Sequence, residues 1–87
     1  MRRLTADYVP ARVERLLREV VASDVQSEDQ DLIESGILDS LLIVQLLVAI
    51  EQEFDVQVPP ADLNIERLRT IRSISLFVTD LARSEDE

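Results

Sequence analysis

Apolar residues recur at helical spacing in three stretches of this chain. In the first, between Asp7 and Ala22, Val9, Val13, Leu16, Leu17, Val20 and Val21 share a face, and Arg12, Glu14, Arg15, Arg18 and Glu19 take the wet side. Pro10 is tolerated only in a first turn, so the regular helix is expected to begin there. Ser23 to Gln30 is polar and aperiodic and predicts a loop. Leu32, Ile33, Ile37 and Leu38 are apolar points that would pin this long connection onto the body of the protein. At the far end, Thr70 opens a helix over Ile71 to Leu81 with Ile71, Ile74, Phe77, Val78 and Leu81 inward, and residues 83–87 read as a frayed tail. Pro59 and Pro60 disfavour helix before them, so Asp55 to Pro60 is a turn or extended connector. Ala61 to Leu68 reads as a short third helix with Leu63, Ile65 and Leu68 turned inward.

The middle stretch, from Asp31 to Phe54, organises the rest. An acidic loop, the only glycine of the chain (Gly36) and two apolar residues lead into Asp39-Ser40, where a long apolar run starts. Asp39 suits an N-cap, because its carboxylate can accept first-turn N–H groups that have no partner within the helix. Ser40 then stands on the first turn, at the positive end of the helix dipole, where a phosphate is favoured. At roughly 100° per residue, Ile43, Leu46, Leu47, Ile50 and Phe54 share one side. Leu41, Val44, Gln45, Val48 and Gln52 fall on the other. Burying a large aliphatic side chain is worth about 1.5–3 kcal/mol, so leaving three in water calls for a reason. Either the helix is central and packed on two sides, or the second stripe is a surface for a partner.

These elements make one domain over residues 1–87: all-α, a four-helix bundle with a long loop after the first helix and a short third helix. Composition narrows the chemistry. There is no cysteine, so disulfides and thiolate metal sites are excluded, and no histidine or lysine, so carboxylates are the only candidate bases. Pairing Asp39 with Asp31 or Glu34 would leave a hydrolase formally possible, but so small a bundle has little room for a cleft. An EF-hand beginning at Asp29 fails, because Ile33, Glu34 and Ser40 occupy the fifth, sixth and closing positions. No enzyme activity and no metal are expected. The run Leu41 to Ile50 is about half of the roughly 20 residues a membrane span requires, and no apolar segment follows Met1-Arg2-Arg3 as in a signal peptide. A cytoplasmic protein without membrane insertion is the expectation.

The net charge is −9 and the nine positive residues are all arginine. Every one lies at or before Arg18 or at or after Arg67, leaving a run of acids between them unanswered along the sequence. Such a chain is expected to repel nucleic acid, to stay monomeric, and to attract proteins with basic docking surfaces.

The run Gly36-Ile37-Leu38-Asp39-Ser40-Leu41, the apolar helix closing with Glu51-Gln52-Glu53-Phe54, and the following Val56-Gln57-Val58-Pro59 together resemble the acyl carrier protein family. The resemblance covers roughly Asp31 to Leu81. It implies a 4′-phosphopantetheine arm on Ser40, with Asp39 as its acidic neighbour and Leu41, Leu42, Val44, Gln45 and Val48 as the face read by partners. It also implies those partners: a phosphopantetheinyl transferase, an adenylate-forming ligase or acyltransferase that loads the cargo, and a downstream acyl-accepting enzyme. Leu42, Ile43 and Gln45 stand where fatty-acid carriers commonly have acids or hydroxyls. The phrases Glu34-Ser35-Gly36-Ile37-Leu38-Asp39-Ser40 and Leu68-Arg69-Thr70-Ile71-Arg72-Ser73-Ile74 are more similar to discrete D-alanyl and aminoacyl carriers. The expected role is a discrete carrier in a polyketide or nonribosomal peptide pathway, with D-alanylation of a wall polymer as the alternative. A different class of function, an acidic interaction module with no cofactor, would explain the charge and the second stripe but not the conjunction of Gly36, Asp39, Ser40 and the Val-Pro tail.

Overall fold

A computed structural model describes residues 9–21 and 25–86, with Asp62 and 84–86 described by backbone alone. The basic start at Met1-Arg2-Arg3, the expected helical positions Asp7 and Ala22, and Asp24 lie outside it. Three α-helices are present and, among the described residues, no strand: α1 (Val9–Val21), α2 (Ser40–Phe54) and α3 (Ile71–Asp86). The fold is all-α, as expected.

Each helix is held by its apolar face. Val9, Val13, Leu16 and Leu17 of α1, Leu46, Ile50 and Phe54 of α2, and all five expected residues of α3 enter one buried cluster. Val21, Ile43 and Leu47 pack partly buried at its margin. Helix α1 lies along both α2 and α3, which meet each other over a shorter stretch. Pro10 is the second residue of α1, inside the first turn, where it costs no hydrogen bond. The long loop is pinned as its apolar pattern predicts, with Leu32 and Leu38 buried and Ile33 and Ile37 half-buried.

The C-terminal end of α2 is closed twice. Asp55 takes the left-handed conformation (φ 54°) and donates its N–H to the Glu51 carbonyl. Arg12 of α1 reaches across to the Glu53 carbonyl at 2.9 Å and to its carboxylate at 3.0 and 3.1 Å, with its guanidinium 4.4 Å from the centre of the Phe54 ring. A cation at the negative end of a helix dipole is favourable there. The same Arg12 therefore ties α1 to the C-terminal end of α2.

Two elements differ from the sequence reading. The short third helix is instead two 3₁₀ turns, Pro60–Asp62 and Ile65–Leu68. Asn64 interrupts them: its side-chain oxygen accepts from the Glu66 N–H at 2.9 Å, capping the second turn and ending the first. Leu63 and Ile65 are consequently exposed, and only Leu68 is buried. The last helix runs to Asp86 rather than stopping at Leu81, since residues 82–86 hold no glycine or proline to end it. Glu87 lies outside the described residues.

Tertiary pairing also alters the charge picture. Part of the acidic run between Arg18 and Arg67 is answered, because the fold returns arginines to it. Arg12 and Arg15 pair with Glu53, Arg69 with Asp31 and Glu66, and Arg72 with Glu28 and Asp29. Glu19, Glu34, Asp39, Glu51 and Asp55 make no ion pair among the described residues, and two of these, Glu34 and Asp39, fall within six positions of Ser40.

Candidate functional site

The junction where the long loop becomes α2 is assembled from local hydrogen bonds. Asp31 begins it: one carboxylate oxygen accepts from the N–H groups of Ile33 at 3.0 Å and Glu34 at 2.8 Å, folding the chain into a turn. The turn continues with Ser35 N–H on the Asp31 carbonyl and Gly36 N–H on the Ile33 carbonyl, each at 3.1 Å. Gly36 has φ +83°, and a Cβ built there would meet nothing within 4 Å, so backbone conformation and not crowding demands glycine. The Leu38 N–H then returns to the Leu32 carbonyl at 2.9 Å, burying both leucines and aiming the chain into α2.

Asp39 caps the helix as predicted. With extended backbone (φ −123°, ψ −174°), its side chain accepts from the Leu42 N–H at 3.0 Å, and its carbonyl accepts from the Ile43 N–H at 2.8 Å. Ser40 is the first helical residue and is exposed. The N–H groups of Ser40 and Leu41 have no intrahelical acceptor, since a helix leaves its first donors free. The Ser40 hydroxyl thus stands in water at the positive end of a 15-residue helix, with Asp39 already engaged by the backbone. This is poor equipment for a nucleophile that must activate itself and a good seat for a phosphate diester.

Beyond Ser40 the second stripe is open. Leu41, Val44 and Val48 are 66%, 57% and 49% exposed, and Gln45 and Gln52 are exposed between and beside them. Packing on two sides is therefore ruled out for α2. Leu42 departs from the expected partner face: it is half-buried against the core, because it lies one turn before the fully buried Leu46. No charged residue occurs from Ser40 to Ile50, so the open stripe is neutral.

Sequence reasoning missed two residues that shape the junction. Arg69 donates to Asp31 at 3.1 and 3.4 Å, and the Arg69 carbonyl accepts from the Leu32 N–H at 2.6 Å. Arg72 holds Asp29 through two bonds, 2.7 and 3.2 Å, and its own N–H donates to the Glu28 carbonyl at 3.1 Å. These contacts join positions about 40 apart, and no spacing pattern announces them. Their electrostatic effect is mutual. The Glu34 N–H, then the Arg69 guanidinium, hold the Asp31 carboxyl below its ordinary range. The Arg72 hydrogen bond does the same for Asp29, while Arg69 and Arg72 are pushed up by their carboxylates.

The phosphopantetheine attachment site family model matches residues 11–78 of this chain. The chain belongs to that family. It is an acyl or aminoacyl carrier, bearing 4′-phosphopantetheine covalently on a serine, and not an enzyme. The D-alanyl carrier protein of Streptococcus sanguinis is 34% identical over 74 residues, which cover 84% of this chain and 94% of that protein. That of Leuconostoc citreum is 31% identical over 74 residues, 84% of this chain and 95% of its own. A shorter match, 38% over 52 residues, is found with the D-alanyl carrier protein of Lactococcus lactis subsp. cremoris, covering 60% of this chain and 66% of that one. The carrier assignment sets aside the interaction module without a cofactor. The exposed serine and the free first-turn donors of the carrier fit the phosphate end of the arm.

Proposed function

We propose that Ser40 is the attachment residue and that this carrier holds D-alanine for transfer to an acceptor polymer in the cell envelope. The observation that carries the first half is the exposed hydroxyl on the first turn of α2, capped by Asp39 and preceded by the Gly36 turn. The second half is supported by the three relatives named above, each a D-alanyl carrier protein, whose matches cover 60% to 84% of this chain. This reverses the order suggested by the sequence alone, which puts polyketide and nonribosomal peptide pathways first.

A phosphopantetheinyl transferase brings coenzyme A to Ser40. The serine oxygen displaces adenosine 3′,5′-bisphosphate at phosphorus, one P–O bond forming as another breaks, and the serine proton leaves to a base of the transferase. Asp39 is occupied as a cap, one of its carboxylate oxygens accepting the Leu42 N–H. What the arm supplies, once bound, is a terminal thiol able to hold a carboxylic cargo as a thioester, which the protein itself lacks for want of cysteine. The protein contributes presentation. Leu41, Val44, Gln45 and Val48 offer a neutral surface beside the serine to the transferase, to an adenylate-forming ligase that loads the cargo, and to the acceptor enzyme. Docking there has to release quickly, as a shuttle requires. The carrier works in the cytoplasm as a monomer, where ATP and coenzyme A are available to its loading enzymes.

Loading tests the cargo. Holo-protein incubated with ATP, D-alanine and a D-alanine-activating ligase gains one alanyl group by intact-protein mass spectrometry, and hydroxylamine removes it. Failure with that ligase, together with loading by an adenylating enzyme of a peptide pathway, overturns the wall-polymer reading in favour of natural-product carriage.

A further inference from the structure

The loop that delivers Ser40 is tethered to the opposite end of the chain by one residue acting in two ways. Arg69, between the second 3₁₀ turn and α3, accepts the Leu32 N–H on its carbonyl at 2.6 Å and grips the Asp31 carboxylate with its guanidinium at 3.1 and 3.4 Å. From Asp31 the bonding is continuous: its carboxylate folds the Ile33-Glu34 turn, its carbonyl takes Ser35, Ile33 takes Gly36, and Leu32 takes Leu38, the residue before Asp39. Glu66 holds the guanidinium from the other side, Nε to Oε1 at 2.8 Å, which limits its freedom to swing away. Arg69 is half-buried, so its fork is already oriented before it meets Asp31.

We infer that Arg69 is a positioning residue for arm attachment: it sets the 31–38 loop so that Ser40 and the first turn of α2 are presented to the transferase in one geometry. The inference rests on Ser40 being the attachment residue. An ion pair that solvent still reaches from both sides contributes little stability, so its main role is not to hold the fold, which the buried cluster does. Replacing the side chain leaves the Arg69 carbonyl and its bond to Leu32 in place. The loop then stays attached at one point but loses the clamp that orients Asp31. Misplacing a reacting group by a fraction of an ångström through a distant contact is enough to slow a bimolecular transfer.

The test uses the full chain, coenzyme A and a broad-specificity phosphopantetheinyl transferase, with transfer followed by intact mass. Arg69→Gln is expected to lower kcat/KM for the carrier about tenfold, mainly through KM, with helical content unchanged. Arg69→Lys restores part of the loss, because it keeps the charge without the fork. Asp31→Asn shows a similar loss, and the double variant is no slower than either single one, as expected for two groups of one clamp. Arg18→Gln, which removes a pair with Glu14 on the far side of α1, stays within about twofold of the parent. Hydrogen exchange at the Gly36 and Leu38 amides quickens in Arg69→Gln and Asp31→Asn but not in Arg18→Gln. Parental kcat/KM in both Arg69→Gln and Asp31→Asn overturns the inference, and so do additive losses in the double variant. If Arg69→Gln fails to fold, Arg69→Lys and Asp31→Asn decide alone. If the folded parent takes up no phosphopantetheine, or Ser40→Ala run alongside takes it up, the Ser40 reading has failed and not the clamp.

Discussion

Asp39 and Ser40 divide the work of the site between adjacent side chains. The first stabilises the helix end and the second is left free by it. Because the Asp39 carboxylate accepts a first-turn N–H, Asp39→Ala should cost about 1 kcal/mol and Asp39→Asn much less, read as the shift in the denaturant midpoint. An equal cost for both would mean that the charge, not the acceptor, is what the helix uses. This cap was legible in the sequence because it is local: acceptor and donor lie three residues apart, and the residue type alone nominates the role. Gly36 was legible only as an oddity, the sole glycine of the chain, since a positive φ is a property of the folded turn. Arg69 was not legible at all. Its partners are chosen by the way α3 closes against the loop, and the sequence presents it as one of several arginines near a helix start.

On the scale of elements, α2 is the part whose two faces have separate duties. One face buries Leu46, Ile50 and Phe54, and the other leaves Leu41, Val44 and Val48 in water next to Ser40. A periodicity of 3.6 residues separated these faces correctly, while Leu42, which only the family resemblance put on the partner face, is half-buried against the core, because a residue between two stripes is assigned by its neighbours in space. The short third helix was misjudged for a related reason. Apolar residues at 63, 65 and 68 mimic a buried face, while Asn64 prefers to cap and splits the segment. If the open stripe of α2 is the partner surface, Val44→Asp should raise KM for ligase loading by about tenfold with helical content unchanged. If docking rests on this uncharged stripe alone, raising the salt concentration should change loading of the parent by less than about twofold, and a larger change would bring the unpaired Glu34 and Asp39 into the docking surface. Parental KM in Val44→Asp would place docking elsewhere.

At the scale of the whole molecule, the balance of charge is set by arginines that come back to acids far away in sequence. Reading the sequence alone leaves the acidic middle unanswered, and the fold pairs much of it. A pH dependence follows. Asp29 and Asp31 have carboxyls held below their ordinary range by hydrogen bonds from Arg72 and from the Glu34 N–H with Arg69. For groups depressed in the folded state, the stabilisation is fully present above the unfolded value, about 3.9, and is lost as pH falls through the folded one. Stability to denaturant should therefore be level in the contribution of this pair between pH 7 and about 5 and decline below about 4. The decline should be shallower in Asp29→Asn/Asp31→Asn, and an identical acid limb in that variant would remove the two aspartates from the account. The central claim is that all of this architecture serves one hydroxyl. Intact-protein mass spectrometry of parent and Ser40→Ala, each incubated with coenzyme A and a phosphopantetheinyl transferase, tests it most directly. The account predicts a gain of one phosphopantetheine group on the parent and none on a folded Ser40→Ala. A gain on Ser40→Ala, or none on folded parent with an active transferase, would contradict it.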